Sequence, residues 1–584
     1  MLEELIRLIT DQAEKKMQLP IGYSDFKKII DEGFDFVDKS LLIKEIINDA
    51  ESILIARPRR FGKTFNMSML RHFFSLNINT KINLFKNLKI DLEYDLIEKH
   101  QNQYSVIYLT FKDVKELSYE AAYQKIMHII GTVYDEFSRV LLNSEKLTDF
   151  QKRKLNSILE GKSSQAEVED SLRLLSNCLY DHYGKKICIL IDEYDTPIQS
   201  GYLHGFYNEI VALFRNLLSA ALKDNIYLFK AVLTGILRVS RESLFSGLNN
   251  LKVYSVLHPK YGPYFGFIEQ EVADLLNKSG LKEKSNEIKN WYNGYQMGNQ
   301  FIYNPWSIVN SIQDGGVLKP YWVNTSDNTL IKNLLLKSSK GFKERFELLL
   351  EDRPIERLIN ENFVFPDLDR NNESAIWNLL LMTGYLKTTS YQETDQGSLC
   401  QLAIPNREIR NLYRGIIEQW LSNGYGVEWY NEFLQHLLKG DMVAFEKDLT
   451  HILEQTVSSH DVGKEPEAFY HGLMIGLTAS LYGRDDYETK SNRESGYGRY
   501  DYMIISRNVN KPTILFEFKK IILTENKLTE AKMILTKSAE EALTQIDTRV
   551  YLAEVKQRGI KNILKIGISF SGKRFGIAYE WLKD

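Results

Sequence analysis

Residues 52–64 read SILIARPRRFGKT, and this stretch decides the fold of the first part of the chain. Its start, SILIA, has the continuous apolar character of a strand that is buried on both faces. A basic loop follows, and an amphipathic helix is predicted from Lys63 to Phe74. This succession of a strand, a loop with Gly62-Lys63-Thr64 and a helix is typical of a phosphate-binding loop. Backbone N–H groups and the N-terminus of a helix both favour anions.

The loop departs from the general pattern GxxxxGK(S/T) at its first position. Arg57 stands where the pattern has glycine, and Pro58 removes one N–H donor from the loop. A second element supports the interpretation of this stretch as a phosphate-binding loop. The stretch KICILIDEYD predicts a buried parallel strand that ends in Asp192 and Glu193, and ligands bind at the carboxyl ends of such strands.

These two elements together predict a site for a nucleotide and Mg²⁺. Lys63 would reach the β- and γ-phosphates, Thr64 and Asp192 would hold Mg²⁺, and Glu193 would orient the attacking water. The loop residues predicted to bind the cofactor beside them are Arg59, Arg60, Phe61 and Gly62.

Two further strands are predicted, from Tyr104 to Phe111 and from Tyr227 to Gly235. Thr234 ends the second run and is a candidate sensor of the γ-phosphate. Arg238 and Arg241 follow, and either is a candidate for stabilising charge on the transferring phosphoryl group; a solvated arginine is the equally weighted alternative for each.

A second acid-base pattern lies near the C-terminus, in GRYDYMII and TILFEFKK. Both stretches predict strands, and alternate side chains of a strand share a face. Glu517 and Lys519 would therefore point the same way. A hairpin loop centred near residue 509 would pair Asp501 with Glu517. Like charges directly opposite are destabilising, so the pair predicts a divalent cation, held by both carboxylates and the backbone carbonyl of Phe518. An exposed strand with an ordinary ion pair is the alternative.

Length and composition indicate an ordinary globular protein. The 584 residues are 43% hydrophobic and 26% charged, with a net charge of −3, so overall charge gives no support for nucleic-acid binding. The chain has 3 cysteines, widely spaced, which argues against a disulfide framework or a zinc site. No apolar run approaches the length of a membrane span, and we expect a cytoplasmic protein.

The middle of the chain is predicted to be mostly helical and contains aromatic-rich stretches, among them WYNGYQMGNQFIYNPWSI and YWVNTSDN. Such aromatics stack bases in some proteins and pack cores or domain interfaces in more of them. We therefore favour packing. The expected domains are 1–260, with a parallel sheet; 261–463, helical; and 464–584, an α/β domain.

The chain resembles a prokaryotic family of P-loop proteins that pair an AAA-ATPase-like domain with a C-terminal PD-(D/E)XK-type nuclease domain. The matching stretches include RPRRFGKT, VIYLTFKDV, LIDEYDTPI, WYNGY, YNPWSI, YWVNTSDN, SNRESGYGRYD and FEFKK. The resemblance implies that Arg57 is a family trait, that the nucleotide is ATP, and that the middle region is helical or winged-helix-like. It also implies a restriction-endonuclease-like fold for the C-terminal domain.

Within that resemblance, Glu467 in EPEAFYHGL matches the acid of the first nuclease helix, and Asp501, Glu517 and Lys519 match the remaining motif. The downstream stretch SAEEALTQI predicts a helix that starts at Ser538, with Ser538 and Glu541 as its capping box. The predicted function is an ATPase joined to a nuclease that uses Mg²⁺ or Mn²⁺, acts on nucleic acid with DNA favoured, and serves defence against foreign DNA. Oligomerisation is compatible with this prediction. The alternative is an ATP-driven switch whose C-terminal domain binds nucleic acid or a partner without cleavage.

Overall fold

The computed structural model describes residues 17–76, 83–238, 250–325, 329–350, 352–362, 365–369, 372–421, 426–456, 478, 481, 487–491, 494–495, 498–499, 502–508, 511–521, 530–548, 555, 558–571 and 574–583. The chain divides into two compact units. The first unit comprises residues 1–334 and 354–409, and the second comprises residues 335–353 and 410–584. Among the described helices, none has the length and apolar character that crossing a bilayer requires.

The first unit is built on a parallel sheet of five strands in the order β2-β3-β4-β1-β5. Its strands are β1 Ser52–Ala56, β2 Ser105–Thr110, β3 Ile187–Asp192, β4 Leu228–Gly235 and β5 Leu251–Tyr254. All five carboxyl ends meet at one edge, because the strands are parallel. Strand β4 lies between β1 and β3, so the predicted phosphate loop and the predicted acids flank its end. The four strands predicted from sequence are confirmed.

Helices connect these strands and cover both faces of the sheet. They are α1 Phe26–Asp31, α2 Leu42–Ile47, α3 Lys63–Phe74, α4 Tyr94–His100, α5 Tyr119–Leu142, α6 Asp149–Leu159, α7 Gln165–Glu169, α8 Ser171–Tyr183, α9 Thr196–His204 and α10 Tyr207–Leu222. Helix α3 has the bounds predicted from sequence. Its Met67 and Leu70 are in the same core cluster as Ile53 and Ile55 of β1, which fixes the helix against the strand that precedes it.

The remainder of the first unit is largely helical, with two small sheets. Its elements are α11 Glu269–Lys278, α12 Ser285–Tyr292, β6 Tyr295–Met297, β7 Gln300–Ile302, α13 Pro305–Gln313, the start of α14 Thr329–Lys337, β8 Ile355–Ile359, α16 Glu373–Met382, β9 Lys387–Thr394, β10 Gly397–Ala403 and the start of α17 Arg407–Leu421. Strands β8, β10 and β9 form an antiparallel sheet in that order. Strand, helix and two-stranded hairpin follow one another here, which agrees with a winged-helix-like middle region.

The second unit contains a mixed five-stranded sheet in the order β11-β14-β15-β16-β17. Its elements, besides the ends of α14 and α17, are α15 Lys340–Leu350, α18 Gly426–Lys439, α19 Met442–Thr456, β11 Tyr487–Ser491, β12 Glu494–Ser495, β13 Gly498–Arg499, β14 Tyr502–Ser506, β15 Thr513–Lys520, α20 Ala531–Thr548, β16 Asn562–Ser571 and β17 Arg574–Lys583. Strands β14 and β15 are antiparallel, and β15 and β16 are parallel. A parallel pair needs a crossover, and α20 provides it.

Helix α20 packs closely on this sheet because the sheet has glycines beneath it. A Cβ on Gly567 would lie 2.2 Å from the carbonyl oxygen of Ala539, and one on Gly576 would lie 2.5 Å from the amide nitrogen of Thr536. The helix begins at Ala531, so the prediction of a start at Ser538 was wrong. Ser538 is buried within the helix, where tertiary packing outweighs its preference for a cap.

Replacing Gly567 with alanine is therefore expected to destabilise the second unit by about 1–3 kcal/mol, since the methyl group meets helix backbone that cannot rotate away. Chemical denaturation followed by circular dichroism measures this change. Gly415→Ala is the matched control. Gly415 lies inside α17 with no neighbouring atom within 4 Å of the point where a Cβ would lie, so alanine should stabilise by about 0.5–1 kcal/mol. Equal stabilities of the two variants would contradict the close packing of α20.

Candidate functional site

The predicted phosphate loop follows β1 and ends at Gly62, which has φ of +82° and precedes the first residue of α3. Only glycine adopts this conformation without strain. Lys63 is 3% exposed, and its Nζ donates hydrogen bonds to the carbonyls of Arg57 at 3.1 Å and Pro58 at 3.0 Å. The loop thus curls around the amine, and burial lowers the pKa of Lys63. An anion beside the amine would favour its charged form.

Asp192 is the centre of a cluster of hydroxyl groups at the carboxyl edge of the sheet. Its Oδ2 accepts a hydrogen bond from Thr64 Oγ1 at 2.7 Å, and its Oδ1 accepts one from Thr234 Oγ1 at 2.6 Å. Burial raises the pKa of Asp192. The structure therefore brings together three of the predicted residues, from α3, β3 and β4. Carboxylate and hydroxyl oxygens are the hard donors that Mg²⁺ prefers, so this donor set fits the ion.

A cavity of about 560 Å³ opens over the loop, and its size suits a small-molecule ligand. Loop residues 59–64 line it, together with Glu193. Glu193 has φ of +52°, which is uncommon for a residue with a side chain and is often found at functional sites. Apolar side chains also line the cavity, among them Phe36, Val37 and Trp306. The cavity therefore offers both polar groups that suit phosphates and apolar side chains that suit a base.

The predicted arginines occupy different surroundings. Arg59 and Arg60 both line the cavity, and the Arg60 guanidinium carbon lies 4.4 Å from the ring centroid of Trp306. Arg238 follows β4, and its Nη1 lies 3.8 Å from a carboxylate oxygen of Glu361. Arg238 is not among the described residues that line the cavity. Its action on a phosphoryl group therefore stays a prediction.

Arg57 explains why the first glycine of the general loop pattern is absent. Its side chain is fully buried, and Nη1 donates to the carbonyls of Ala56 at 2.7 Å, Tyr254 at 3.1 Å and Ser255 at 2.7 Å. Burial lowers the pKa of Arg57 to about 9. The side chain joins the start of the loop to the end of β5. Arginine at this position is thus a structural support for the loop.

Sequence reasoning missed two residues that hold the segment after Thr234. Asp195 Oδ2 accepts hydrogen bonds from the backbone N–H groups of Ile236 at 2.8 Å and Leu237 at 2.9 Å. The Tyr194 hydroxyl donates to the Leu237 carbonyl at 2.6 Å. The signal was present as the third acid of LIDEYD, two residues beyond Glu193.

A buried carboxylate, Glu408, lies in the first turn of α17 and was also missed. It is 0% exposed, and it accepts hydrogen bonds from the backbone N–H of Trp322 at 2.6 Å and the hydroxyl of Ser307 at 2.8 Å. Burial raises the pKa of Glu408 from 4.5 to about 7. The protonated carboxyl group is neutral, so burying it with these partners costs less solvation free energy than burying the ionised carboxylate.

The stability of the first unit should consequently depend on the ionisation of Glu408. The pKa of the folded state lies above that of the unfolded state, so the contribution of this group is complete below pH 4.5 and is lost as pH rises to about 7. Glu408→Gln removes the titration. Between pH 5 and pH 8 the wild type should lose on the order of 3 kcal/mol relative to this variant. Denaturation midpoints at several pH values measure the difference, and parallel profiles would contradict it.

Two of the predicted nuclease residues, Glu517 and Lys519, lie on β15, in the β14–β15 hairpin of the second unit. The observed register pairs Tyr502 with Phe516 and Ile504 with Ile514, which confirms the register predicted from the loop centre. Asp501 immediately precedes Tyr502 in the sequence. Three predicted residues lie outside the described part of the chain: Asp501, Glu467 and, in the first unit, Arg241.

Glu517 and Lys519 are both described, on the face of β15 that α20 covers. Glu517 is 3% exposed and Phe518 is 2% exposed. Lys519 Nζ lies 3.1 Å from Glu541 Oε2 of α20, a partner that sequence reasoning assigned to a helix cap instead. Among the described residues, no group of three or more His, Cys, Asp or Glu is placed to hold a metal ion. Of the predicted metal ligands, the structure describes the Glu517 carboxylate and the Phe518 carbonyl. Both are hard oxygen donors, which suit Mg²⁺.

Comparisons with known proteins agree with this two-part organisation. A family model described as Predicted AAA-ATPase matches residues 20–245, and one for the PD-(D/E)XK nuclease superfamily matches residues 465–580. An uncharacterised protein from the vnfD 5′ region of Azotobacter chroococcum mcd 1 is 24% identical over 566 residues, which cover 95% of this chain and 97% of that protein.

Among solved structures, a Walker-type ATPase of Pyrococcus abyssi is 12% identical and covers 69% of this chain and 99% of its own, with a TM-score of 0.34. The ORC2 protein of Aeropyrum pernix, in ADPNP and ADP complexes, is 10% identical and covers 69% of this chain and 95% of its own, with a TM-score of 0.22. By the two family models, the chain carries an AAA-ATPase-like domain, which contains the parallel sheet and the phosphate loop described above, and, toward its C-terminus, a domain of the PD-(D/E)XK nuclease superfamily.

Proposed function

We propose that this protein binds and hydrolyses ATP in its first unit and cleaves nucleic acid in a metal-dependent reaction in its second. One observation supports the ATPase half most strongly. Asp192 is hydrogen-bonded to Thr64 and Thr234, at the edge of the sheet where the loop around Lys63 begins α3. This arrangement joins a phosphate loop, an acid and a sensor hydroxyl from three separate elements.

In the ATPase reaction, Lys63 would bind the β- and γ-phosphates, and backbone N–H groups of residues 59–62 would surround them. Thr64 and Asp192 would hold Mg²⁺, which supplies charge neutralisation at the phosphates. Glu193 would orient the attacking water, and Thr234 would contact the γ-phosphate. Positioning and electrostatic stabilisation supply most of the rate in phosphoryl transfer, so these roles suffice for hydrolysis.

In the nuclease reaction, Glu517, Asp501 and the Phe518 carbonyl would hold Mg²⁺ or Mn²⁺, which supplies charge compensation at the scissile phosphate. The hairpin register supports the proposal that Asp501 and Glu517 act together. Lys519 would orient or deprotonate the attacking water, and Glu467 would complete the site. The expected products are the two ends of a hydrolysed phosphodiester.

A cleavage assay on plasmid, linear duplex, single-stranded DNA and RNA tests this proposal. Each substrate is incubated with Mg²⁺, Mn²⁺ or EDTA, and with ATP, a non-hydrolysable ATP analogue or no nucleotide. We expect cleavage with a divalent cation and none with EDTA, together with phosphate release from ATP. Binding without cleavage under every metal condition would favour the alternative, a nucleotide-driven switch whose C-terminal domain does not cut.

The same assay tests whether nucleotide state controls the nuclease. Different cleavage rates with ATP, with the analogue and without nucleotide would show coupling, and equal rates would exclude it. DNA is the favoured substrate, and defence against foreign DNA is the proposed biological role. Both rest on family resemblance.

A further inference from the structure

The loop from Pro58 to Phe61 is contacted from outside by the aromatic-rich part of the first unit. The ring centroid of Phe61 lies 5.0 Å from that of Tyr295, at an interplanar angle of 79°. A Cβ on Gly384 would lie 3.1 Å from Pro58 Cβ, so the backbone at Gly384 packs on that proline. The aromatic stretches singled out in the sequence therefore pack partly against the phosphate loop itself.

One contact in this group is a hydrogen bond to the loop backbone. Trp322 Nε1 donates to the carbonyl of Arg59 at 3.1 Å. The carbonyls of Arg57 and Pro58 accept from Lys63. Three successive loop carbonyls thus have donors within the protein. None of them needs to turn toward the phosphates, where its negative dipole would be repelled.

The direction of the Arg59 carbonyl also sets the direction of the next N–H group. In a planar trans peptide, the C=O and N–H bonds point in opposite directions. A carbonyl of Arg59 held by Trp322 therefore turns the N–H of Arg60 away from the Trp322 indole. Residues 59–64 line the cavity, so an N–H that points away from the indole would be available to a ligand there.

Trp322 is itself fixed by Glu408. The backbone N–H of Trp322 donates to Glu408 Oε1 at 2.6 Å, and Ser307 Oγ donates to Oε2 at 2.8 Å. The Trp322 side chain is 1% exposed and its ring packs on Tyr385 at 5.3 Å between centroids. The indole therefore has little freedom to leave its position below the loop.

We propose that Trp322 is a positioning residue for nucleotide binding. Its indole N–H fixes the Arg59–Arg60 peptide so that the Arg60 N–H faces the nucleotide phosphates, and Glu408 holds Trp322 in place. This inference rests on the proposed nucleotide site and adds to it a determinant that lies outside the loop, 263 residues further along the chain from Arg59.

Trp322→Phe tests the proposal, because phenylalanine keeps an aromatic ring and removes the N–H donor. Calorimetric titrations with ATP, ADP and adenosine compare ligands with and without the β-phosphate. ATP and ADP should bind about five- to tenfold more weakly, the loss expected for one hydrogen bond, while adenosine affinity is unchanged. Trp377→Phe is the matched control. Trp377 is also 1% exposed, lies in α16 of the same unit, and should leave all three affinities unchanged.

Equal weakening for adenosine would show a general structural effect and overturn the proposal, as would unchanged affinity for ATP. A wild-type protein that binds neither ATP nor ADP would instead overturn the proposed nucleotide site, and this inference with it.

Variants of Glu408 provide an independent measurement if Trp322→Phe does not fold. Glutamine at position 408 keeps an oxygen acceptor for the Trp322 N–H and an amide donor for Ser307, whereas alanine keeps neither. Glu408→Ala should weaken ATP and ADP without affecting adenosine, and Glu408→Gln should bind like the wild type. Equal nucleotide affinities of these two variants would contradict the role of Glu408.

Discussion

Lys63→Ala is expected to abolish ATP hydrolysis and to weaken ATP binding by at least about a hundredfold. Lys63 is almost fully buried within the loop, where its amine donates to two loop carbonyls. A charge-assisted bond from this amine to a phosphate is about twice as strong as a neutral one. Phosphate release and calorimetric binding measure the two losses.

The control for this prediction is Lys162→Ala. Lys162 is largely exposed and pairs with Glu160 two residues away, at 2.8 Å, in a surface ion pair of the kind that contributes little. Its replacement should leave hydrolysis unchanged. ATP turnover by Lys63→Ala at a rate close to that of the wild type would show that the nucleotide site is elsewhere.

Glu517→Gln is expected to reduce nucleic-acid cleavage by a factor of about 10³ or more while ATP hydrolysis stays near the wild-type rate. Glutamine has nearly the same shape but no charge, so it compensates a divalent cation poorly. Glu517 is 3% exposed on β15, beside Gly567 of β16. A neutral side chain in that buried position should not destabilise the second unit, so loss of cleavage would report on the charge. Gel assays of plasmid cleavage and parallel phosphate-release assays measure both activities.

Glu540→Gln is the matched control, since Glu540 is exposed on α20 of the same unit. It should cleave like the wild type. Two further readouts sharpen the test: binding of labelled DNA should survive in Glu517→Gln, and cleavage should not return at higher Mg²⁺. Full cleavage by Glu517→Gln would remove the nuclease assignment from this hairpin.

Local patterns predicted the elements that position both sites. Strand β1 and helix α3 have the predicted bounds, because an unbroken apolar run and the glycine before Lys63 mark their ends within the sequence itself. The hairpin register was predictable because side chains alternate with a period of two and the loop centre fixes the pairing.

Contacts between distant parts of the chain were not predictable in this way. Trp322 reaches the carbonyl of Arg59 across 263 residues, and no local pattern connects them. The start of α20 was misplaced for a related reason. Serine is favoured as a cap residue, but the helix begins at Ala531, and Ser538 lies buried within it. Packing of the helix against the sheet outweighs the local preference of this serine. Lys519 accordingly finds Glu541 as an ion-pair partner from the body of the helix.

The division of the chain into two interleaved units has a practical consequence for dissecting the protein. Residues 335–353 belong to the second unit, yet the chain then returns to the first for residues 354–409. A fragment that begins at residue 410 would therefore lack helix α15, and a fragment that ends at residue 409 would contain that helix without the rest of its unit. Truncation is therefore poorly suited to separating the two activities, and point substitutions in the full-length chain are preferable.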